Sequence, residues 1–159
     1  MALLIGIESC KVDSNGRFKF PVALKKQLES SDDNRFAIRQ SIYNNCLELW
    51  TYQAFIEETE TLKAQLNRYD PEDLEILGAL TEANIIEMDT NDRLLIPSEQ
   101  KDVLTNDKEI VLVGMGQNIQ IWSAEEYRKM KQRTRNTLAE KIKNRLGNKE
   151  ENTVNNEVN

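Results

Sequence analysis

Apolar and polar positions alternate along much of this chain with the period of two that marks a strand with one buried face. Residues 3–12 are rich in Leu, Ile and Val and end at the polar run Asp13-Ser14-Asn15-Gly16. Aspartate accepts from backbone amides ahead of it and Asn-Gly tolerates positive φ, so this run predicts a turn. Arg17-Phe18-Lys19-Phe20 resumes the alternation, with Phe18 and Phe20 on one face and Arg17 and Lys19 on the other. The pattern predicts a hairpin with two cations on its solvent side. Pro21 opens a short helix that carries Leu24 and Leu28 on one side. Strands follow over 35–41 and 46–50, around a turn at Asn44-Asn45. Thr51 caps a helix to about Tyr69, with Phe55, Leu62 and Leu66 as its apolar stripe. Asp70-Pro71-Glu72-Asp73 starts another helix: a cap residue, a proline at the first position, then acids that suit the positive end of the dipole. Leu74, Leu77 and Leu80 run along it.

The chain then repeats itself. Asp13, Asn15, Arg17 and Pro21 are echoed by Asp89, Asn91, Arg93 and Pro97, so D-x-N-x-R-x-x-x-P occurs twice at an offset of 76 residues (89 minus 13). Such self-similarity signals a duplicated unit. The second copy predicts a strand over Ile85–Met88, a turn over 89–92 and a strand over Arg93–Ile96. A helix after Pro97 faces Val103 and Leu104 inward. Strands over Glu109–Val113 and Ile119–Ile121 flank a turn at 114–118. Trp122 answers Trp50, and both are assigned to core or interface. Ser123-Ala124-Glu125-Glu126 has the capping-box pattern, Tyr127 takes the place of Phe55, and a basic helix runs to about Arg145. The parse is 1–69 first repeat, 70–83 connecting helix, 84–127 second repeat, 128–146 basic C-terminal helix, and 147–159 a disordered Asn/Glu-rich tail. A copy of about 75 residues makes a thin core alone, so the two are expected to share one.

Composition narrows the function. The 159 residues include no histidine, which removes the usual general base, the Ser-His and Cys-His dyads and most nitrogen-ligated zinc sites. No catalytic or metal-ligating set is nominated, and no cofactor or small-molecule substrate is evident. The N-terminus reads as a strand rather than a signal peptide, and no apolar run is long enough to span a membrane. Cys10 and Cys46 read as reduced thiols of a cytoplasmic protein. Net charge is −6, but it is unevenly spread. Residues 11–28 hold five bases against Asp13, and residues 128–145 hold eight against Glu140. Residues 48–109 hold 16 acids and 5 bases. Local field outweighs the total for a polyanionic partner, so both basic segments are candidates.

The doubled Asp13…Arg17 and Asp89…Arg93, with Pro21 and Pro97, together with Glu109-Ile-Val-Leu-Val-Gly-Met-Gly and Ile121-Trp122, resemble the MraZ family of bacterial transcriptional regulators over roughly residues 5–130. The resemblance implies an α+β fold of two tandem AbrB/SpoVT-like swapped-hairpin β-barrel units with peripheral helices. It implies a regulator of the division and cell wall gene cluster that binds double-stranded promoter DNA at short direct repeats upstream of its own operon. It also implies a ring-shaped homo-oligomer, cytoplasmic and associated with the nucleoid. The chain departs from the family's pattern at Asn15, where a basic residue is usual, and at Asp92, where glycine is usual. Residues 70–83 also lack the arginines of many relatives. The candidate DNA contacts are Arg17, Lys19, Lys11, Asn15 and Arg93. Asp13, Gly16, Pro21, Asp89 and Pro97 are read as turn-formers. Arg17 carries the functional expectation against a salt bridge to Asp13. Arg93 is weighed toward a structural role, with Asp89 and Asp92 as its partners, which leaves the first copy as the main grip on DNA. A protein-interaction scaffold or antitoxin-like module that binds another protein remains the alternative, favoured by the acidic total.

Overall fold

A computed structural model describes residues 3–104 and 108–147; the predicted tail beyond Gly147 lies outside the described residues. The chain is a mixed α+β protein built on antiparallel sheet. The first copy supplies β1 (Leu4–Lys11), β2 (Arg17–Lys19), α1 (Val22–Lys25), β3 (Arg35–Gln40), β4 (Leu47–Thr51) and α2 (Tyr52–Gln65). After α3 (Pro71–Thr81) come β5 (Asn84–Glu87), β6 (Arg93–Leu95), a 3-10 helix (Ser98–Leu104), β7 (Glu109–Gly116) and β8 (Ile119–Ser123). The described residues fall into two compact units that divide between Ala124 and Glu125.

The strands pair across the copies. The large sheet runs β1-β7-β8-β4-β3-β5, and β2 pairs with β6 in a separate two-stranded ribbon. β1 of the first copy lies on β7 of the second, and β5 of the second lies on β3 of the first. β4 and β8 meet in the middle, with Leu47 opposite Ile121. The expected local hairpin of β1 with β2 shrinks to a single bridge, Val12 to Phe18. The reason is that β1 gives its length to β7 through eight register pairs, while a three-residue β2 has its own counterpart in β6. One core therefore draws on both copies: Phe18, Phe20, Phe36 and Leu47 pack with Leu94, Ile96, Leu112 and Ile121.

Three boundaries differ from the sequence reading. α2 stops at Gln65, because the Asn67 N–H donates to Asp73 (2.7 Å) and the Asn67 side chain accepts from the Tyr69 N–H (3.0 Å). That local turn outcompetes further helix. β7 continues through Gly114 to Gly116, pressed against β1: a Cβ on Gly114 would sit 2.5 Å from the Leu4 carbonyl oxygen. The basic C-terminal helix is broken into α4 (Ala124–Arg135) and α5 (Leu138–Ile142), followed by a π turn, Lys143–Gly147. The break at Asn136-Thr137 falls on side chains that compete for backbone partners; the Thr137 N–H and hydroxyl both turn back to the Thr134 carbonyl.

A feature absent from the sequence reading ties the two copies on the other face of the sheet. Arg39 of β3 and Glu48 of β4 are register partners and form an ion pair at 3.1 Å, with side chains 10% and 13% exposed. Arg39 also donates to the Leu80 carbonyl of α3 and lies over Trp50 and Phe55. Glu48 accepts from the Asn118 amide at 3.1 Å, which brings in the second copy. A pair this buried is costly to break, since removing either partner strands the other charge.

Candidate nucleic-acid interface

The two motif loops have the same backbone design. In the first, the Asp13 carboxylate accepts from the Asn15 and Arg17 N–H groups at 2.9 and 3.0 Å, and the Asp13 N–H donates to the Arg17 carbonyl. In the second, Asp89 accepts from Asn91 and Arg93 at 2.8 and 2.9 Å, and its N–H donates to the Arg93 carbonyl. Each aspartate thus accepts from the backbone amides two and four residues ahead of it. The Asp13 carboxyl sits below its ordinary pKa. The Arg17 N–H bond is the main cause, opposed by desolvation and helped by the Asn15 N–H and by the charges of Arg17 and Arg93. Its contribution to the turn is thus present above the ordinary aspartate pKa and is lost as pH falls through the lowered folded-state value.

The loops lock each other. The Ile96 N–H donates to the Gly16 carbonyl at 2.9 Å, and the Phe20 N–H donates to the Asp92 carbonyl at 2.7 Å. Gly16 and Asp92 are equivalent positions, and both have positive φ, 85° and 61°. Glycine occupies that conformation without strain; aspartate is among the few side chains that tolerate it. Asp92 is held there by Lys25, whose ammonium lies 2.8 Å from its carboxylate. The equivalent lysine, Lys101, lies over Gly16, so that a Cβ on Gly16 would be 2.5 Å from its terminal atoms. Lys25 and Lys101 stand at the same 76-residue offset as the motif (101 minus 25). That offset was the sequence signal that could have drawn them into the site.

Between the loops runs the β2–β6 ribbon. Its register sets Arg17 opposite Leu95, Phe18 opposite Leu94, and Lys19 opposite Arg93. Phe18 and Leu94 are 1% and 0% exposed and root the ribbon in the core; burying each stabilises by about 1.5–3 kcal/mol. By the alternation of strands, Arg17, Lys19, Arg93 and Leu95 share the opposite, outer face. Lys19, Arg93 and Leu95 are exposed and Arg17 is half-buried. The structure thus puts the second arginine beside the first copy's cations. Asp89 spends its carboxylate on backbone amides and Asp92 pairs with Lys25. Among the described residues neither Arg17 nor Arg93 forms an ion pair within 4.0 Å, although the charges of both act on the Asp13 carboxyl.

The other candidates lie apart. Asn15 is exposed in the first loop. Lys11 ends β1 on the large sheet, opposite Glu109, off the ribbon. Pro21 and Pro97 stand immediately before α1 and the 3-10 helix. Cys10 and Cys46 are free, with thiols pushed up to about 11 and about 12, chiefly by burial. Thiols that stay protonated are poor nucleophiles and poor metal ligands. No helix among the described residues is long and apolar enough to cross a membrane.

A family model described as "MraZ protein, putative antitoxin-like" matches residues 79–149, which take in the second copy and the helices after it. A protein of Christiangramia forsetii named "Transcriptional regulator MraZ" is 34% identical over 152 residues, covering 93% of this chain and 96% of that protein. A Flavobacterium psychrophilum protein of the same name is 34% identical, covering 81% and 82%. One from Bacteroides fragilis is 27% identical, covering 82% and 83%. On this likeness along nearly its whole length, the chain belongs to the MraZ family.

Proposed function

We propose that this chain is a sequence-specific DNA-binding transcriptional regulator that sets the β2–β6 ribbon into the major groove. The observation that carries this reading is the ribbon's outer face. A major groove about 12 Å wide admits a two-stranded ribbon, and here such a ribbon presents Arg17, Lys19 and Arg93 together. Arginine pairs bidentately with guanine O6 and N7, and among the described residues neither guanidinium forms an ion pair with a carboxylate. The relatives' shared name supports the regulatory role. In this reading the cross-copy pairing is that of a swapped-hairpin barrel of the AbrB/SpoVT kind, present twice in one chain. One ribbon covers few base pairs. A ring homo-oligomer that places several ribbons on short direct repeats gains affinity through effective concentration. The repeats lie upstream of the protein's own operon, in the division and cell wall cluster, and the protein works in the cytoplasm on the nucleoid.

A second reading, capture of a basic protein in the manner of an antitoxin, is favoured by the matched family's description and by eight acids against two bases in residues 52–82. One experiment separates them: titrate the full chain against DNA from upstream of its operon and against a shuffled sequence, at several salt concentrations. DNA binding predicts preference for the upstream sequence and a log–log salt slope of about −3 per engaged ribbon, from three cations at about 0.9 each. Equal weak binding to both sequences would leave the protein-partner reading standing alone.

A further inference from the structure

The β2–β6 ribbon is nearly the same read from either end. The 76-residue offset carries Arg17 onto Arg93, Phe18 onto Leu94 and Lys19 onto Leu95. Exchanging the copies therefore turns the register pair Arg17–Leu95 into the pair Arg93–Lys19. On the outer face the equivalence breaks at one place: Leu95 stands where the first copy has Lys19. One end of the ribbon thus pairs a cation with a leucine, and the other pairs two cations. The partners are close neighbours. The ribbon's backbone bonds at Gly16–Ile96 and Phe20–Asp92 make Arg17–Leu95 and Lys19–Arg93 the alternate, non-hydrogen-bonded pairs, with Cβ atoms about 4.5–5.5 Å apart. Like charges directly opposite are destabilising; Lys19 against Arg93 is such a pair, both exposed, and a polyanion over the ribbon offsets the repulsion. Leu95 is 42% exposed on this charged face. A lone exposed leucine is ordinary on a surface. Here its neighbours Leu94 and Ile96, at 0% and 1% exposed, already root the strand in the core. The equivalent position in the other copy is lysine, so the fold does not demand an apolar side chain there. Its Cδ1 lies 3.6 Å from where a Cβ on Gly16 would stand, which sets it beside the first loop and Arg17.

We infer that Leu95 is a specificity-determining residue, which packs on the C5-methyl group of a thymine next to the guanine paired by Arg17. The inference rests on the DNA-binding reading above and adds a base to it. Thymine is the base whose major-groove edge carries a methyl group, and apolar side chains read it there. A Cβ spacing of about 4.5–5.5 Å against a base rise of about 3.4 Å puts the two contacts on one base pair or on adjacent ones. At the other end Lys19 and Arg93 present donors alone, which suit guanine or phosphate. The same difference gives the ribbon a direction. Turned end for end it would set Lys19 on the thymine, so a ribbon with leucine at 95 distinguishes direct from inverted repeats.

Deoxyuridine tests it, since replacing a thymine by uracil removes the methyl group and leaves every hydrogen-bonding group in place. Each thymine of the upstream DNA is replaced in turn, and fluorescence anisotropy reads binding of the full chain. Wild type should lose about fourfold in affinity at one thymine of each bound repeat, the worth of one buried methyl. Leu95→Ala should bind the unmodified DNA at least about fourfold more weakly and lose nothing further when that thymine is replaced. Leu95→Met keeps an apolar contact and should keep most of the sensitivity. Leu95→Lys adds a cation, so it should bind shuffled DNA more tightly, ignore the methyl group, and narrow the preference for direct over inverted repeats. Circular dichroism melting checks that each variant is folded, and the scan with wild type stands without any variant. If no thymine responds while Arg17→Ala still loses binding, or if Leu95→Ala responds to uracil as wild type does, the inference is overturned and the ribbon reading survives. If wild type binds neither upstream nor shuffled DNA, both fall.

Discussion

Replacing Asp92 with glycine isolates what distinguishes the two loops. Two effects on the fold oppose each other. Glycine removes the cost of a side chain at φ 61°, about 1 kcal/mol for an aspartate. It also removes the ion pair to Lys25, whose partners are 48% and 31% exposed, a bond worth about 0–1 kcal/mol at that exposure. The sum is within about 1 kcal/mol of zero, so the melting midpoint should move by no more than about 4 °C. The effect on DNA is one-sided. A carboxylate leaves the loop that abuts the ribbon, and the Lys25 ammonium is released. One additional neutralised phosphate steepens the salt slope by about 1, which near 0.1 M salt raises affinity about fivefold to tenfold. Fluorescence anisotropy on labelled upstream DNA, repeated across salt concentrations, reads both quantities. Asp92→Asn removes the charge but keeps a side chain that tolerates positive φ, and should bring a similar gain. If Asp92→Gly melts with wild type yet binds no tighter, with an unchanged slope, the ribbon and its loops are not the DNA face.

Other consequences concern the frame that holds the ribbon. Glu48→Ala strands the buried Arg39 guanidinium and the Asn118 amide, and should cost about 3–5 kcal/mol, read as a fall in melting midpoint of about 6–20 °C; replacing Arg39 and Glu48 together with leucine or methionine should recover most of it. Gly114→Ala drives a Cβ to 2.5 Å from the Leu4 carbonyl oxygen and should destabilise by about 2–3 kcal/mol, with faster amide exchange confined first to β1 and β7. In an NMR pH titration the Asn15 and Arg17 amides should report Asp13 with a midpoint below 3.8; a midpoint above that would mean the turn does not depend on the carboxylate.

What could be read without coordinates was whatever a repeat and a local pattern encode. Both turns, the inward Phe18 and Phe20, the Thr51 cap, which accepts from the Ala54 N–H, and the buried Trp50 and Trp122 all follow from short-range chemistry. The pairing partners did not follow. A motif said twice specifies two equivalent loops, but nothing in its spacing says that β2 will pair with β6 rather than with β1. That choice belongs to the shared core, where Phe18 and Leu94 meet from 76 positions apart. It changes the candidate site: charge counted along the chain divides a basic first copy from an acidic second, whereas the ribbon register sets Lys19 against Arg93. Arg39 and Glu48 are illegible in the sequence for a similar reason, since a charged pair on neighbouring strands reads as a solvated face until helices cover it.

In the proposed DNA complex the two arginines act from one surface. Binding of upstream and shuffled DNA by wild type, Arg17→Ala, Arg93→Ala and the double variant decides whether they do. Each single substitution should weaken upstream binding by about 1–3 kcal/mol and narrow the preference over shuffled DNA, with assembly mass and melting unchanged. The double variant should bind both sequences alike. Loss from Arg17→Ala with full binding by Arg93→Ala would return the site to the first copy alone and contradict the shared ribbon.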